Sequence, residues 1–518
     1  MKLHRKIKFA SGFKLDLAAN FAGVGWSFLI QIACIPLYLR FLGIEAYGLI
    51  GFYLMLQAIL QVLDFGLSPT MNREMARFSV QPEKAGEARD LVRTLEVGYW
   101  LIGIAIGAVI FAAAPVIAAD WIKASAIPVH DVQHTVMLMG VLAVFQWPVS
   151  FYQGGLMGLG RQVLYNGLSI SMSTLANGGA VLILWRVSPT IEAFFLWLVA
   201  VNAAKVVLLT ICLWKSLPPA TRSPQFDLRQ VRNIWRFAAG MSGITLVSLI
   251  LAQVDKLVVS KVLPLKMFGY YSLAWAVAGG LLVISGAVFN VVFPRLSAQV
   301  AAGDESGIRR SYHLGSQLMA VTILPAAAIL SLFSFDILRL WTRSNETALN
   351  AAPVLSVLVI GSALNALLFL PYALQLAYGW TRLSLFWGLI SMTILVPAML
   401  PMTRHFGIVG AATVWAALNI LSMFVVVPVM HRRLLPGEAW GYFCDVGLPL
   451  ACAMLMAALG RIIFPNIKST IMTLTILSGA WLCSLLMAVL AAPHIRFWAL
   501  AQATRLRWGK SQLNVNGG

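Results

Sequence analysis

The sequence predicts an all-α polytopic membrane protein with about fourteen transmembrane helices. Three observations carry that prediction. The chain is 60% hydrophobic and 11% charged, against about 25% charged residues in a typical soluble domain. Apolar runs of about 20 residues, the length needed to cross the hydrocarbon core, recur from one end to the other. The net charge of +19 resides mostly in the short segments between those runs. In a soluble protein such a charge would point to nucleic acid. Here it follows the positive-inside pattern of membrane topology, and no nucleic-acid partner is expected. Barrel strands are excluded, because they alternate in polarity and are only about ten residues long.

Taken in order, the spans are expected at about 17–39, 47–68, 94–118, 133–157, 164–185, 191–214, 237–261, 267–292, 312–335, 350–376, 384–403, 407–430, 443–463 and 470–492. A basic start (Lys2, Arg5, Lys6, Lys8) leads into the first run, which is too long for a signal-peptide core and is expected to be retained. The second run ends in a basic loop holding Arg73, Arg77, Lys84, Arg89 and Arg93. Arg161 precedes the fifth, and Lys215, Arg222, Arg229, Arg232 and Arg236 fill the segment between the sixth and seventh. Arg295, Arg309 and Arg310 precede the ninth, Arg382 the eleventh, and Arg432 and Arg433 the thirteenth. These segments alternate, and the opposite set is poorer in Lys and Arg. Both termini are therefore expected in the cytoplasm of a cell with an inner membrane. The tail 493–518, with Phe497, Trp498 and Trp508 beside Arg496, Arg505, Arg507 and Lys510, reads as a cytoplasmic basic segment lying on the inner leaflet.

An internal repeat is visible. Phe41-Leu-Gly-Ile-Glu-Ala-Tyr-Gly48 follows the first span, and Val262-Leu-Pro-Leu-Lys-Met-Phe-Gly269 follows the seventh. The step from Gly48 to Gly269 is 221 residues. Parallel repeats related by an axis along the membrane normal are an established transporter plan. The expected organisation is a six-helix lobe over 15–214, a second over 230–431 in pseudo-twofold arrangement, an additional helix pair over 440–492, and the tail.

Several chemistries find no support. The five cysteines (Cys34, Cys212, Cys444, Cys452, Cys483) lie in apolar runs without metal-ligand spacing. Gly509-Lys510-Ser511 resembles the end of a phosphate-binding loop, but Thr504 stands where its first glycine belongs. His130 and His134 are one turn apart beside Asp131, with no third ligand in sight, so a solvated loop is expected and no metal. No nucleophile triad can be assembled. The chain is expected to move something, without a cofactor, and not to catalyse a reaction.

Polar groups are costly in lipid and face a cavity or another helix. Shared-face stripes occur at Asn20, Ser27, Gln31 and Tyr38, at Gln57, Gln61, Asp64 and Ser68, and at Asn166, Ser169, Ser173 and Asn177. Others occur at Thr245, Ser248 and Asp255 beside Gln253 and Lys256, at Ser362, Asn365 and Tyr372, and at Trp415, Asn419 and Ser422. Taken singly, such residues are expected to bond between helices. Taken together they predict a hydrated cleft between two lobes. Lys205 is the sharpest feature, a cation near the middle of the sixth span with Asn202 one turn away.

At these residues the chain resembles the Wzx-type polysaccharide flippases of the multidrug/oligosaccharidyl-lipid/polysaccharide exporter superfamily. The resemblance rests on Pro36-Leu-Tyr-Leu-Arg40 running into Phe41…Gly48, on Asp64-Phe-Gly-Leu-Ser-Pro-Thr-Met-Asn-Arg73, and on Asp255-Lys-Leu-Val-Val-Ser with Phe268-Gly-Tyr-Tyr-Ser272. Phe293-Pro-Arg-Leu-Ser297 and Gly407-Ile-Val-Gly410-Ala-Ala complete it. It implies a substrate, an undecaprenyl-diphosphate-linked oligosaccharide turned across the bacterial inner membrane by alternating access. It also implies the lipid bilayer as solvent, and a polysaccharide polymerase and chain-length machinery as partners for O-antigen, lipopolysaccharide or exopolysaccharide assembly. The expected substrate-handling residues are Lys205 and Asn202, from the charge in mid-span, together with Arg40, Asp64, Arg73, Asp255 and Lys256, which lie in the matching motifs. An ion-coupled multidrug antiporter and a peptidoglycan lipid-precursor flippase are the alternatives. The antiporters rely on an early membrane-embedded carboxylate, and the first span here has only Asp16 at its edge.

Overall fold

The computed structural model describes residues 2–62, 64, 66–220, 222–227, 247, 249–464 and 469–497, with side chains from residue 22 onward. Thr245, Ser248, the basic residues Arg229, Arg232 and Arg236, the side chains of Asp16 and Asn20, and the tail from Trp498 lie outside the described residues.

Every described element is helical. The helices are α1 (Lys2–Val62), α2 (Leu67–Phe78), α3 (Ala85–Val116), α4 (Val129–Gly158), α5 (Gln162–Arg186), α6 (Ile191–Ser216), α7 (249–262) and α8 (Leu265–Ala302). They continue with α9 (Glu305–Leu332), α10 (Ser334–Thr342), α11 (Asn345–Leu367), α12 (Phe369–Ala377), α13 (Arg382–Leu434), α14 (Ala439–Ile463) and α15 (Thr470–Leu490). Among the described residues, eleven helices are long and apolar enough to cross a membrane.

Two of those eleven are pairs of spans. α1 breaks at Gly43 (φ 79°) and α13 at Gly407 (φ 61°). Both lie in the left-handed region that favours glycine, and both sit where the hydropathy pattern ends one span and begins the next. With the two breaks and the partly described seventh span, the count reaches the fourteen expected.

The chain divides into two compact units, Met1–Ser272 and Leu273–Gly518. In the first, α4 is central and packs on α2, α3 and α6, while α1 lies on α5. The break within α1 is fastened by Glu45, a buried carboxylate that accepts from the backbone amides of Ser125 (2.5 Å) and Ala126 (3.0 Å). In the second unit, α9 packs on α11, α14 and α15, and α11 on α13.

Within the first unit the two glycine-bearing segments meet. A Cβ at Gly48 would sit 2.7 Å from the Leu265 carbonyl oxygen, and a Cβ at Gly269 would collide with the Ile44 carbonyl. Both positions need glycine for the close approach of backbone to backbone. The contact is reciprocal: Ile44 and Gly48, advanced by 221 residues, are Leu265 and Gly269.

Candidate functional site

The site is built on the inner face of α6. A helix places residues three and four apart on one side, so Leu198, Val201, Asn202 and Lys205 all line a cavity of about 210 Å³ within the first unit. The opposite wall comes from α1 on both sides of its break (Gln31, Tyr38, Tyr47, Tyr53, Gln57) and from Ser173 and Asn177 of α5, with Gln146 of α4. Three tyrosines, three side-chain amides of glutamine, two of asparagine and a serine face one cation.

The polar groups around Lys205 are largely committed to one another. The Tyr38 hydroxyl donates to the Asn177 carbonyl oxygen (3.0 Å), and Ser27 donates to Ser173 (3.1 Å). The Asn177 and Asn202 amides donate to the carbonyls of Ser173 and Leu198 one turn back on their own helices. Lys205 differs: among the described residues its ammonium has no hydrogen bond and no ion pair. A cation on a half-buried side chain at mid-helix, 15 residues into α6, therefore depends on water or a ligand for solvation.

The outer face of α6 lines a different cavity, of about 530 Å³. Val206, Val207, Thr210, Ile211 and Trp214 face Arg93, Trp100, Ile104 and Phe145 there. At its edge lies Glu96, buried, accepting from the Tyr152 hydroxyl (2.7 Å) and the Trp214 indole (3.1 Å) and paired with Arg93 (3.2 Å). This cluster was not singled out from the sequence. Glu96 lies near the start of a span and reads as an interfacial residue. Only the folded contacts with α4 and α6 reveal that it is buried.

The other sequence-selected residues go elsewhere. Asp64 is 8% exposed. It caps α2 by accepting from the Ser68 amide (2.9 Å), and it also accepts from the Tyr99 hydroxyl (2.5 Å) and the Ser150 hydroxyl (3.3 Å). Arg73 pairs with its neighbour Glu74 (2.7 Å), which also holds Arg77 (3.0 Å). Asp255 is buried and accepts from the Tyr271 hydroxyl (2.7 Å). Lys256 donates to the Ala252 carbonyl (2.9 Å) and lies 3.5 Å from Asp255. Arg40 is exposed, just before the Gly43 break. Of the residues brought forward from the sequence, the structure gathers Lys205 and Asn202 into one cavity. Asp64, Arg73, Asp255 and Lys256 are engaged elsewhere, and Arg40 is exposed.

The stripes split the same way. Gln31, Tyr38, Gln57, Ser173 and Asn177 line the Lys205 cavity. Asn365 donates to Asn419 (2.9 Å) and Trp387 to Ser422 (2.8 Å), bonds between helices or helix segments in the second unit. The His130 and His134 rings lie 3.9 Å apart, tilted by 52°, near the start of α4.

The family model described as polysaccharide biosynthesis protein matches residues 38–342. The chain belongs to that family. The polysaccharide biosynthesis family is the Wzx-type branch of the exporter superfamily that the motifs resemble. Two curated relatives align over most of its length. A Shigella flexneri protein described as a candidate O-antigen transporter is 24% identical over 407 residues, 78% of this chain and 94% of that protein. Teichuronic acid biosynthesis protein TuaB of Bacillus subtilis (strain 168) is 23% identical over 450 residues, 84% of this chain and 86% of that protein. Among solved structures, the lipid II flippase MurJ in an inward closed conformation is similar with a TM-score of 0.67 at 14% identity, covering 92% of this chain and 98% of that one. An inward-facing multidrug resistance MATE family transporter gives 0.61 at 14% identity, with 80% and 94% covered. At these identities the structural likeness establishes the fold alone, a multi-pass all-helical membrane architecture.

Proposed function

We propose that this polysaccharide biosynthesis family member turns an undecaprenyl-diphosphate-linked oligosaccharide from the inner to the outer leaflet of the bacterial inner membrane by alternating access. The observation that carries the reading is the ammonium of Lys205, without a partner among the described residues, in a polar cavity at the middle of its helix. Such a charge is costly in a helix that only packs. It is useful to a protein that must draw an anionic diphosphate away from the headgroup region.

The chemistry of the cavity fits that cargo. Amide and phenol groups are hydrogen-bond partners for sugar hydroxyls, and a single cation in a hydrated space attracts a diphosphate without holding it irreversibly. The relatives named for O-antigen and for teichuronic acid are both concerned with surface polysaccharide, which supports a lipid-linked glycan over a drug as substrate. We read the chain as two six-helix lobes, 15–214 and 230–431, followed by the helix pair 440–492. The reciprocal Gly48–Leu265 and Gly269–Ile44 packing at a constant 221-residue step supports that reading.

Deletion of the gene tests the proposal. The expected result is loss of one surface polysaccharide with its lipid-linked repeat unit accumulating on the cytoplasmic leaflet, restored by the wild-type gene. Normal surface polysaccharide in a clean deletion without a paralogue would overturn it. Loss of cell-wall precursor export instead would assign the chain to peptidoglycan.

A further inference from the structure

The second unit contains a cluster of ionisable side chains remote in sequence and unused by the proposed transport path. His313 (α9), Asp445 (α14) and His494, four residues beyond α15, each present one ligating atom, and the three atoms lie within 4.8 Å of one another. His313 and Asp445 are buried and His494 is half-buried. The first two sit within the opening turns of their helices, and His494 follows the last span. The cluster thus lies toward the N-terminal ends of α9 and α14 and not at their middles.

What distinguishes the cluster from an ordinary ion pair is its outer layer. His313 Nδ1 is 2.5 Å from Asp445 Oδ2, while its other nitrogen, Nε2, is 3.1 Å from Glu438. Glu438 is itself held by Arg309 (2.9 Å). The second oxygen of Asp445 accepts from the Gln317 amide (2.6 Å). The carbonyl end of that same Gln317 accepts from the backbone amides of His494 (2.9 Å) and Ile495 (3.3 Å). Two residues therefore orient all three inner ones: Glu438 fixes the His313 ring, and Gln317 fixes both Asp445 and the turn that carries His494. A histidine bonded through its far nitrogen to a carboxylate is the usual outer arrangement of a metal-ligating imidazole. A bare His313–Asp445 pair would need neither the Gln317 bridge nor His494, whose ring stacks on His313 at 5.5 Å and 20°.

We propose that His313, Asp445 and His494 bind one divalent transition-metal ion of the zinc class, with water as fourth ligand. The ion fastens the end of the last helix to α9 and α14. Two imidazoles and a carboxylate suit such an ion. Bonds of about 2.0–2.2 Å in tetrahedral geometry place ligand atoms about 3.3 Å apart. The His313–Asp445 pair must then open by under about 1 Å, and the widest separation, at most 4.8 Å, must close by up to about 1.5 Å, both within the range of side-chain adjustment.

The test uses full-length protein purified in detergent, its affinity tag removed, stripped with chelator and titrated with Zn(II), and with Co(II) as a visible-absorption probe. One equivalent should bind, with the absorption of a tetrahedral nitrogen- and oxygen-ligated Co(II). His494→Gln and His313→Ala should each weaken binding by about 100-fold or more. Glu438→Gln should weaken it about 10- to 100-fold. His130→Ala with His134→Ala should leave it unchanged. Thermal melting provides the readout if a variant folds poorly: Zn(II) should raise Tm in the wild type and not in His494→Gln. Absence of a stoichiometric site in wild type, or a site that survives His494→Gln or disappears with the His130/His134 pair, overturns the proposal.

Discussion

Replacing Lys205 with methionine removes one charge and almost nothing else. The two side chains are similar in length, and among the described residues no partner of Lys205 would be left unsatisfied. Insertion of a cation at a helix centre costs about 3 kcal/mol, so the variant should reach the membrane in at least normal amount. The transport effect has the opposite sign. A unit charge about 4 Å from a diphosphate oxygen contributes about 1 kcal/mol in bulk water and about 4 kcal/mol at the effective dielectric of a partly buried site. That corresponds to between about 5-fold and 1,000-fold in the occupancy of the cavity by substrate. Lys205→Met should therefore lower polysaccharide export by about fivefold or more per molecule of protein. Lys205→Arg keeps the charge but changes its shape and should retain an intermediate level. The assay is surface polysaccharide in a deletion strain carrying each variant, normalised to membrane-embedded protein by quantitative blot. Full export in Lys205→Met would refute the electrostatic role and leave the lysine as a tolerated structural charge.

Other expectations follow from the contacts. Asp64→Ala removes the cap of α2 and strands the buried Tyr99 hydroxyl, which should cost about 2–4 kcal/mol. Adding Tyr99→Phe should recover part of the loss in a thermal-melting series. Gly48→Ala and Gly269→Ala push a methyl group into a backbone carbonyl and should each cost about 1–3 kcal/mol. Gly25→Ala, with nothing within 4 Å, should be neutral by the same measurement. A reporter active only in the periplasm, fused after Gly518, should be silent, because Lys and Arg crowd the loops on the side expected to be cytoplasmic; strong activity would invert the topology.

The spans were legible because lipid imposes one simple rule, a long apolar run bounded by charge, and Gly43 and Gly407 break helices where that pattern changes. Lys205 was legible for the same reason in reverse, as a charge where the rule forbids one. The partners that decide what each polar residue does were not legible. Asp64 reads from the sequence as a member of a cleft-facing stripe with Gln57 and Gln61, yet its hydroxyl partners Tyr99 and Ser150 come from α3 and α4. Ser27 and Ser173 looked like members of two separate stripes and bond to each other. His313 and Asp445 belong to two different apolar spans and His494 to the segment after the last one, and they share no spacing signal. Only the packing of α9 on α14 and α15 brings their ligating atoms within 4.8 Å of one another. Helix periodicity assigns a residue to a face, but the neighbour of that face is set by tertiary packing.

Movement of a lipid-linked glycan between leaflets is the central claim, and reconstitution measures it most directly. Purified protein in vesicles containing a fluorescent undecaprenyl-diphosphate-linked oligosaccharide, quenched by a membrane-impermeant reductant, reports which leaflet holds the lipid. The account predicts that quenching extends from the outer-leaflet fraction to nearly the whole pool when wild-type protein is present, and far more slowly with Lys205→Met. Quenching confined to the outer-leaflet fraction, as in protein-free vesicles, with correctly folded wild-type protein and its own repeat unit, would contradict it.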